Sequence, residues 1–472
     1  FDSVFYGAAG TDAGGASDDE FNRVSFLSHF DGANNGVNNA FDDGSANNHT
    51  ITAAGNVTQG SFGPFARPDG EWAFNNTGST NDSFKVTAHD NFDMTNPFTI
   101  EGWIFIPDLA VNKLLFGREN NYWMTHDYQG IGGASGKLGF SYQNSGSWGT
   151  INASAATVAN TWYFLQATYV GTTVTFYING VSQGTASVGS PSSNTDKPFY
   201  VLSGPGAKAT GTASNVRLSS VARSTSLPTS KFTSDSDTEL LVCQSNRFVD
   251  NGPDGHTITT TAGASVSAFG PFLTSAVYDA AVNGASAHFD GGDDDYLSLP
   301  PQSDFAFGTG DFSVSLWVYY HNVGTFDYLI DGRNSGQTSG TWTLSINYTN
   351  GASGKLMFAS GSSAILTSDT NLIKNQWYYI SVSRSGTTSR MHFNGTQVAI
   401  NSSDSTNYST SPNTSYIGTR YSTEHSFDGI MGDLRVVKGT ALSSYTPPTA
   451  PLTAVTNTKL LLNMADGQAI DS

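Results

Sequence analysis

With 472 residues and a formal net charge of −18, the chain excludes nucleic acid as a partner, because a phosphate backbone repels it. Its one cysteine, Cys243, excludes a disulfide framework and a cysteine-ligated metal. Set against 51 glycines, only six glutamates are present, so good helix formers are scarce and β-branched, aromatic and turn residues must carry the fold. Either half is long enough to bury a hydrophobic core. No apolar run reaches the roughly 18 residues of a membrane-spanning helix.

In chain order, residues 1–20 are rich in Gly and Asp and read as an extended N-terminal arm. An apolar Phe26-Leu27 strand follows, then His49-Thr50-Ile51-Thr52 and Phe62-Gly63-Pro64-Phe65. Phe98 to Ile106 alternates apolar residues about Trp103, the period of a half-buried strand. Ser135-Gly136-Lys137-Leu138 reads as a hairpin turn, and Asn160-Thr161-Trp162-Tyr163 is the next landmark. Val174, Phe176 and Ile178 then share one face of a strand. Asn179-Gly180 supplies the positive φ angles of a tight hairpin turn. The segment closes on Thr238-Glu239-Leu240-Leu241, just before Cys243, which is expected as a small buried strand residue.

The landmarks then recur in the same order. His256-Thr257-Ile258-Thr259 and Phe269-Gly270-Pro271-Phe272 lie 207 residues after their first copies. Phe312 to Trp317 matches the strand at Trp103, and Ser353-Gly354-Lys355-Leu356, Asn375-Gln376-Trp377-Tyr378 and Asn394-Gly395 follow. The second copy ends Thr458-Lys459-Leu460-Leu461. From the His49 to the Asn179-Gly180 landmarks the spacing to the second copy drifts between 207 and 218 residues, as loop insertions produce. The final strand is read as closing a sandwich, with continuation into a third unit as the open alternative. An all-β protein is predicted: an arm over 1–20, one antiparallel sandwich over 21–235 and another over 236–472.

The series Phe289-Asp290-Gly291-Gly292-Asp293-Asp294-Asp295-Tyr296-Leu297, Asp311 to Trp317, Asn375 to Tyr378, Phe393-Asn394-Gly395 and Phe427 to Arg435 resembles the laminin-G-like, concanavalin A-like superfamily. The likeness covers nearly all of the second unit. The first unit follows it less closely, with Ser214-Asn215-Val216-Arg217 in place of Gly432-Asp433-Leu434-Arg435. The resemblance implies two tandem jelly-roll sandwiches, often with calcium at the rim and ligand on one sheet. Phe21 to Leu27, Asn48 to Thr52 and Gln59 to Phe65 are also similar to tandem laminin-G-like proteins of marine bacteriophages and bacteria. That implies a virion-surface or extracellular location, and the lack of disulfides fits a bacterial or viral source.

Glycoside hydrolysis needs two carboxyl groups about 5 to 10 Å apart, and no two glutamates stand close together in sequence as a paired strand motif requires. Glu101 lies on a strand beside Trp103, yet its counterpart is Ser315. No His-x-x-x-His pair is present, and His49 and His256 are expected to shape turns. No catalytic residue is assigned. Asp290, Asp293, Asp294 and Asp295 are candidate Ca2+ ligands, because crowded carboxylates repel without a counter-ion. The competing reading is a solvated hairpin whose Asp and Gly only shape the turn.

Tyr122, Trp123, Tyr128 and Trp148, with Trp342 and Tyr348 in the second unit, are candidate ligand-binding aromatics able to stack on sugar rings. Core or interface packing is the competing reading. Trp103, Trp162, Trp317 and Trp377 recur in both units and are read as core. The expected function is non-enzymatic surface binding, as a phage fibre or capsid decoration. Its partners would be host-surface polysaccharide, other virion proteins or further copies of itself. A bacterial adhesin or carbohydrate-binding module is the alternative, and a glycoside hydrolase the third reading.

Overall fold

The computed structural model describes residues 52–464, apart from 55–57, 61–64, 66, 69, 79–82, 111, 206, 262–263, 269–279, 293–294, 302, 334–339, 348–353 and 410–413. The expected arm over 1–20, the Phe26-Leu27 strand, His49 and the Phe269 to Phe272 segment lie outside the described residues. The protein is all-β, with two antiparallel jelly-roll sandwiches. Helix among the described residues is confined to Ala280–Asn283 and the 3-10 turns Asp90–Phe92 and Gln129–Ile131. None of it is long and apolar enough to cross a membrane.

The first sandwich faces two sheets. One runs Val181–Ser187, Thr173–Ile178, Thr161–Val170, Phe98–Ile106, Gly211–Ser219, Ala73–Asn76, Ser265–Ser267, with Thr238–Val242 also on Gly211–Ser219. The other runs Ile258–Thr261, Ser83–Val86, Phe199–Val201, Lys113–Arg118, Tyr122–His126, Leu138–Asn144, Ser147–Asn152. The second sandwich repeats the order. Its larger sheet is Thr58–Gly60, Ser286–Asp290, Asp428–Lys438, Phe312–Tyr320, Trp377–Ser385, Thr388–Phe393, Thr396–Asn401. Its smaller sheet is Thr52–Ala54, Tyr296–Leu299, Ser415–Ile417, Asp327–Asp331, Thr343–Ile346, Leu356–Ser360, Ser363–Thr367.

Period-two alternation explains these strands. Phe98, Ile100, Ile104 and Ile106 enter the first core, while Glu101 and Trp103 project from the opposite face. Phe312, Val314, Leu316, Val318 and Tyr320 enter the second core, while Trp317 and Tyr319 project outward. Both Asn-Gly turns form as expected. Asn179 and Gly180 adopt φ 50° and 79°, and Asn394 and Gly395 adopt φ 50° and 89°. In each turn the asparagine Oδ1 accepts a cross-strand amide at 2.8 Å, from Phe164 and Tyr379 respectively.

The recurring tryptophans need a correction. Trp103, Trp317 and Trp377 are buried as expected and Trp162 is half-buried, but none lies between its two sheets. Trp103, Trp162, Trp317 and Trp377 sit on the outer faces of the larger sheets, because their strands are covered on both sides. Trp317, Tyr319, Trp377 and Tyr379 of the second sandwich pack with Phe65, Trp72 and Val266. Main-chain bonds reinforce this contact: Val266 N–H donates to Asn375 O at 3.1 Å and Trp377 N–H to Asn246 O at 3.0 Å. The two sandwiches therefore share an aromatic interface.

Cys243 is buried as expected but stands one residue past the strand Thr238–Val242, with φ 64°. That left-handed backbone ends the ladder, and burial pushes its thiol well up, so it is no nucleophile.

Candidate binding site

One outer face gathers three of the aromatics singled out in the sequence. Trp123 on Tyr122–His126, Trp148 on Ser147–Asn152 and Tyr128 just beyond Trp123's strand cluster with Leu114, Ile131, Tyr200 and Ala207. Trp123 is 3 % exposed, whereas Trp148, Tyr128 and Tyr200 are half-buried and present ring surface to solvent. The Trp123 and Tyr200 rings lie 5.9 Å apart, tilted by 33°. Small residues make room for the indole. A Cβ on Gly117 would come within 2.9 Å of Trp123 Cε3, and one on Gly204 within 3.0 Å of Trp123 Cη2. Sequence reading missed Tyr200, which reaches the cluster by sheet pairing alone.

A polar strip borders the aromatics. Ser141 Oγ and Thr150 Oγ1 are 2.8 Å apart, and Asn152 Oδ1 accepts the Ala134 amide at 2.7 Å. The loop carrying Tyr128 is pinned from below by Asp127, whose Oδ2 accepts the Gly136 amide at 2.8 Å. That bond holds the Asp127 carboxyl below its ordinary range. The loop is thus a fixed wall of the site. It leaves Asp127 bound to the backbone instead of free to act as an acid or base.

The second sandwich shows that the fold does not need these rings. Pairing places Thr343 where the first sandwich has Trp123: Thr343 stands opposite Asp331 and Ala359, as Trp123 stands opposite Gly117 and Ser141. Trp148 lies on an extension of its hairpin, whose strands have 7 and 6 residues against 5 and 5 in the second sandwich. There the same face is occupied by a closed ion pair. Arg333 donates to both oxygens of Asp331 at 2.9 and 2.8 Å, and its guanidinium lies 4.7 Å from the Tyr328 ring centre.

Two other ligand candidates move to the core. Tyr122 is fully buried because it alternates with Trp123, and its hydroxyl donates to Phe92 O at 2.6 Å. Trp342 is 1 % exposed, and its indole donates to Phe305 O at 2.9 Å. Tyr348 lies outside the described residues.

The acidic hairpin closes itself. Asp290 Oδ1 accepts the Gly292 amide and Asp295 Oδ2 accepts the Asp290 amide, each at 2.9 Å. Asp293 and Asp294 lie outside the described residues, among which no three His, Cys, Asp or Glu groups could hold a metal. The described pair closes the turn with its own carboxylates. Nearby, burial and then the neighbouring Asp428 push the Asp327 carboxyl up to about 6. The folded form then binds more protons than the unfolded chain between about pH 4 and 6. This contribution to stability is present below pH 4 and lost as pH rises through 6. Asp327→Asn keeps an acceptor for Thr325 Oγ1, now 2.6 Å from Oδ2. It is expected to stabilise by about 1–3 kcal/mol at pH 7 and by nothing near pH 3.5. Melts at both pH values check this. The same melts in chelator are expected to be unchanged.

Glu101 is closed to chemistry. It is 2 % exposed, its Oε1 accepts Arg217 Nε and Nη2 at 2.8 and 2.6 Å, and its Oε2 accepts Gln166 Nε2 at 2.9 Å. Burial pushes the carboxyl up while Arg217 pulls it back. His256 serves structure, as expected: its amide donates to Asp250 Oδ2 at 2.9 Å and its ring packs 4.6 Å from Phe92. It also borders an open polar cleft of about 440 Å³ with His89, Asn91 and Asp254.

A family model described as the concanavalin A-like lectin/glucanases superfamily matches residues 77–226 and 290–444. No curated protein matches the chain. Among solved structures, domains LG4-5 of the mouse laminin alpha1 chain are similar at 11 % identity and TM-score 0.28, over 85 % of this chain and 94 % of that one. A heptameric SAP-like pentraxin from Limulus polyphemus matches at 14 % identity and TM-score 0.29, over 41 % and 94 %. Domain 4 of an extracellular arabinanase from Geobacillus stearothermophilus, in complex with arabinotriose, matches at 20 % identity and TM-score 0.26, over 34 % and 73 %. At these scores none of the three bears on the choice of ligand.

Proposed function

Since the chain belongs to the concanavalin A-like lectin/glucanase superfamily, we propose that it is a non-catalytic binding protein that holds glycans on the outer face around Trp123 and Trp148. The observation that carries this reading is the asymmetry between the sandwiches. Both build the same sheet, yet only the first spends two tryptophans and a hairpin extension on its outer face. Half-buried Trp148 and Tyr200 offer ring faces to the C–H surface of a sugar, and the rigid Tyr128 loop sets the edge of the groove. Cleavage is not part of the proposal. Glycoside hydrolysis needs two accessible carboxyl groups, and Glu101 and Asp127 are both engaged in fixed hydrogen bonds.

The narrower reading is a bacteriophage virion-surface component, a fibre or capsid decoration. It rests on the sequence resemblance, with a bacterial extracellular adhesin or carbohydrate-binding module as the alternative; detection of the chain in purified particles separates the two. The binding reading is tested on a polysaccharide panel, scored for retention and for release of reducing ends. Retention by at least one glycan without release is expected. Release of reducing ends would overturn the non-catalytic assignment.

A further inference from the structure

Two short segments of the chain occupy the same place on different sandwiches. Ile258–Thr261 and Ser265–Ser267 add one strand to each sheet of the first sandwich, with Thr259 opposite Lys85 and Ser265 opposite Asn75. Thr52–Ala54 and Thr58–Gly60 do the same for the second sandwich, with Thr52 opposite Ser298 and Thr58 opposite His288. Each segment therefore clasps the side of a sandwich and covers one edge strand of both sheets.

The registers correspond residue for residue. The 207-residue repeat spacing carries Thr52 to Thr259 and Thr58 to Ser265. A constant spacing of 213 residues carries the acceptors Lys85 to Ser298 and Asn75 to His288. The connections differ completely. The clasp at 258–267 follows a strand of the sandwich that it covers, Thr238–Val242. The clasp at 52–60 is followed by Phe65 and Trp72, which pack against Trp317, and the next strand in sequence, Ala73–Asn76, belongs to the other sandwich. The lateral slot thus recognises a register and a main-chain ladder, not a particular connection.

We propose that the slot of the second sandwich also takes the 52–60 clasp of a second copy of this chain, linking copies head to tail. The ladder is the same whichever chain supplies it, so the balance is set by the effective concentration of the tethered clasp, in the millimolar range for flexible tethers. Edge strands are ordinarily guarded by charge, and residues 50–61 carry none, despite a net charge of −18 overall. Nothing in the clasp repels a second copy. The contact is heterologous, so it generates rings or filaments instead of stopping at a symmetric pair.

The test uses the full chain with Cys243→Ala and the cysteine pair Thr52→Cys with Ser298→Cys, refolded at low and at near-millimolar concentration and then oxidised. Non-reducing gels are expected to show intrachain-linked monomer at low concentration and covalent dimers and multimers at high concentration. The matched pair Lys85→Cys with Thr259→Cys, whose clasp is contiguous with its sandwich, is expected to stay monomeric throughout. Monomer alone at every concentration, absence of any cross-link, or multimers from both pairs alike would each overturn the proposal. Light scattering of the unmodified chain after the same refolding guards against a folding defect of the variants. It is expected to show dimers and larger species, and a pure monomer overturns the proposal too.

Discussion

Glu101→Ala is expected to destabilise the protein by about 3–5 kcal/mol, the cost of leaving one partner of a buried ion pair alone. Arg217 is 12 % exposed by side chain, forms both of its short bonds with Glu101, and stacks 4.2 Å from the Phe232 ring centre. Truncating Glu101 leaves that guanidinium without its carboxylate and removes one of the two bonds of Gln166 Nε2, which keeps Ser224 O at 2.8 Å. Arg217→Ala is expected to cost as much, because it leaves a 2 %-exposed carboxylate unpaired. The double variant is expected to lose less than the two single losses combined, by about 1–3 kcal/mol. The second sandwich solves the same position differently. There Ser315 and Ser381 stand at the corresponding places beside Arg435, whose Nη1 donates to Thr453 O at 2.9 Å. The second sandwich thus holds its arginine on a main-chain carbonyl, where the first uses a carboxylate. Denaturant melts of the three variants decide it; single losses under about 1 kcal/mol would contradict the buried-pair account.

Trp317→Ala is expected to cost about 3–5 kcal/mol and to split one unfolding transition into two. Trp317 is 2 % exposed on the outer face of its sheet, edge-on to Phe65 at 5.7 Å and 5.4 Å from Tyr379. Its cluster joins Trp72 and Val266 to the second sandwich, so removing the ring opens a cavity between the two bodies, not inside either one. Loss of the shared interface lets each sandwich melt on its own. Calorimetry reads both effects, and a single unshifted transition would show that the cluster carries no coupling.

These variants also mark what the sequence could and could not reveal. Asn179-Gly180 and Asn394-Gly395 were legible because few residues accept their backbone angles, and both formed tight turns. Tyr122 and Trp123 show the limit. Alternation requires one to face inward, but both are large aromatics, so the pattern does not say which. Trp103 and Trp317 were read as core because burial of a strand on both faces looks the same as burial in one interior. The partner of each clasp was illegible for a similar reason. His49-Thr50-Ile51-Thr52 and His256-Thr257-Ile258-Thr259 are identical, so local sequence fits either slot equally. The hydrogen bonds that lock Glu101 and Asp127 were likewise invisible, since Arg217 and Gly136 arrive through tertiary pairing.

The binding reading turns on the half-buried indole of Trp148. The direct measurement is the affinity of the wild-type chain and of Trp148→Ala for the panel's tightest glycan, each with its melting temperature. A loss of about thirty-fold, the roughly 2 kcal/mol of an interface anchor, with the melting temperature preserved is the predicted result. Equal affinity of the two proteins would contradict it and move glycan recognition to another face.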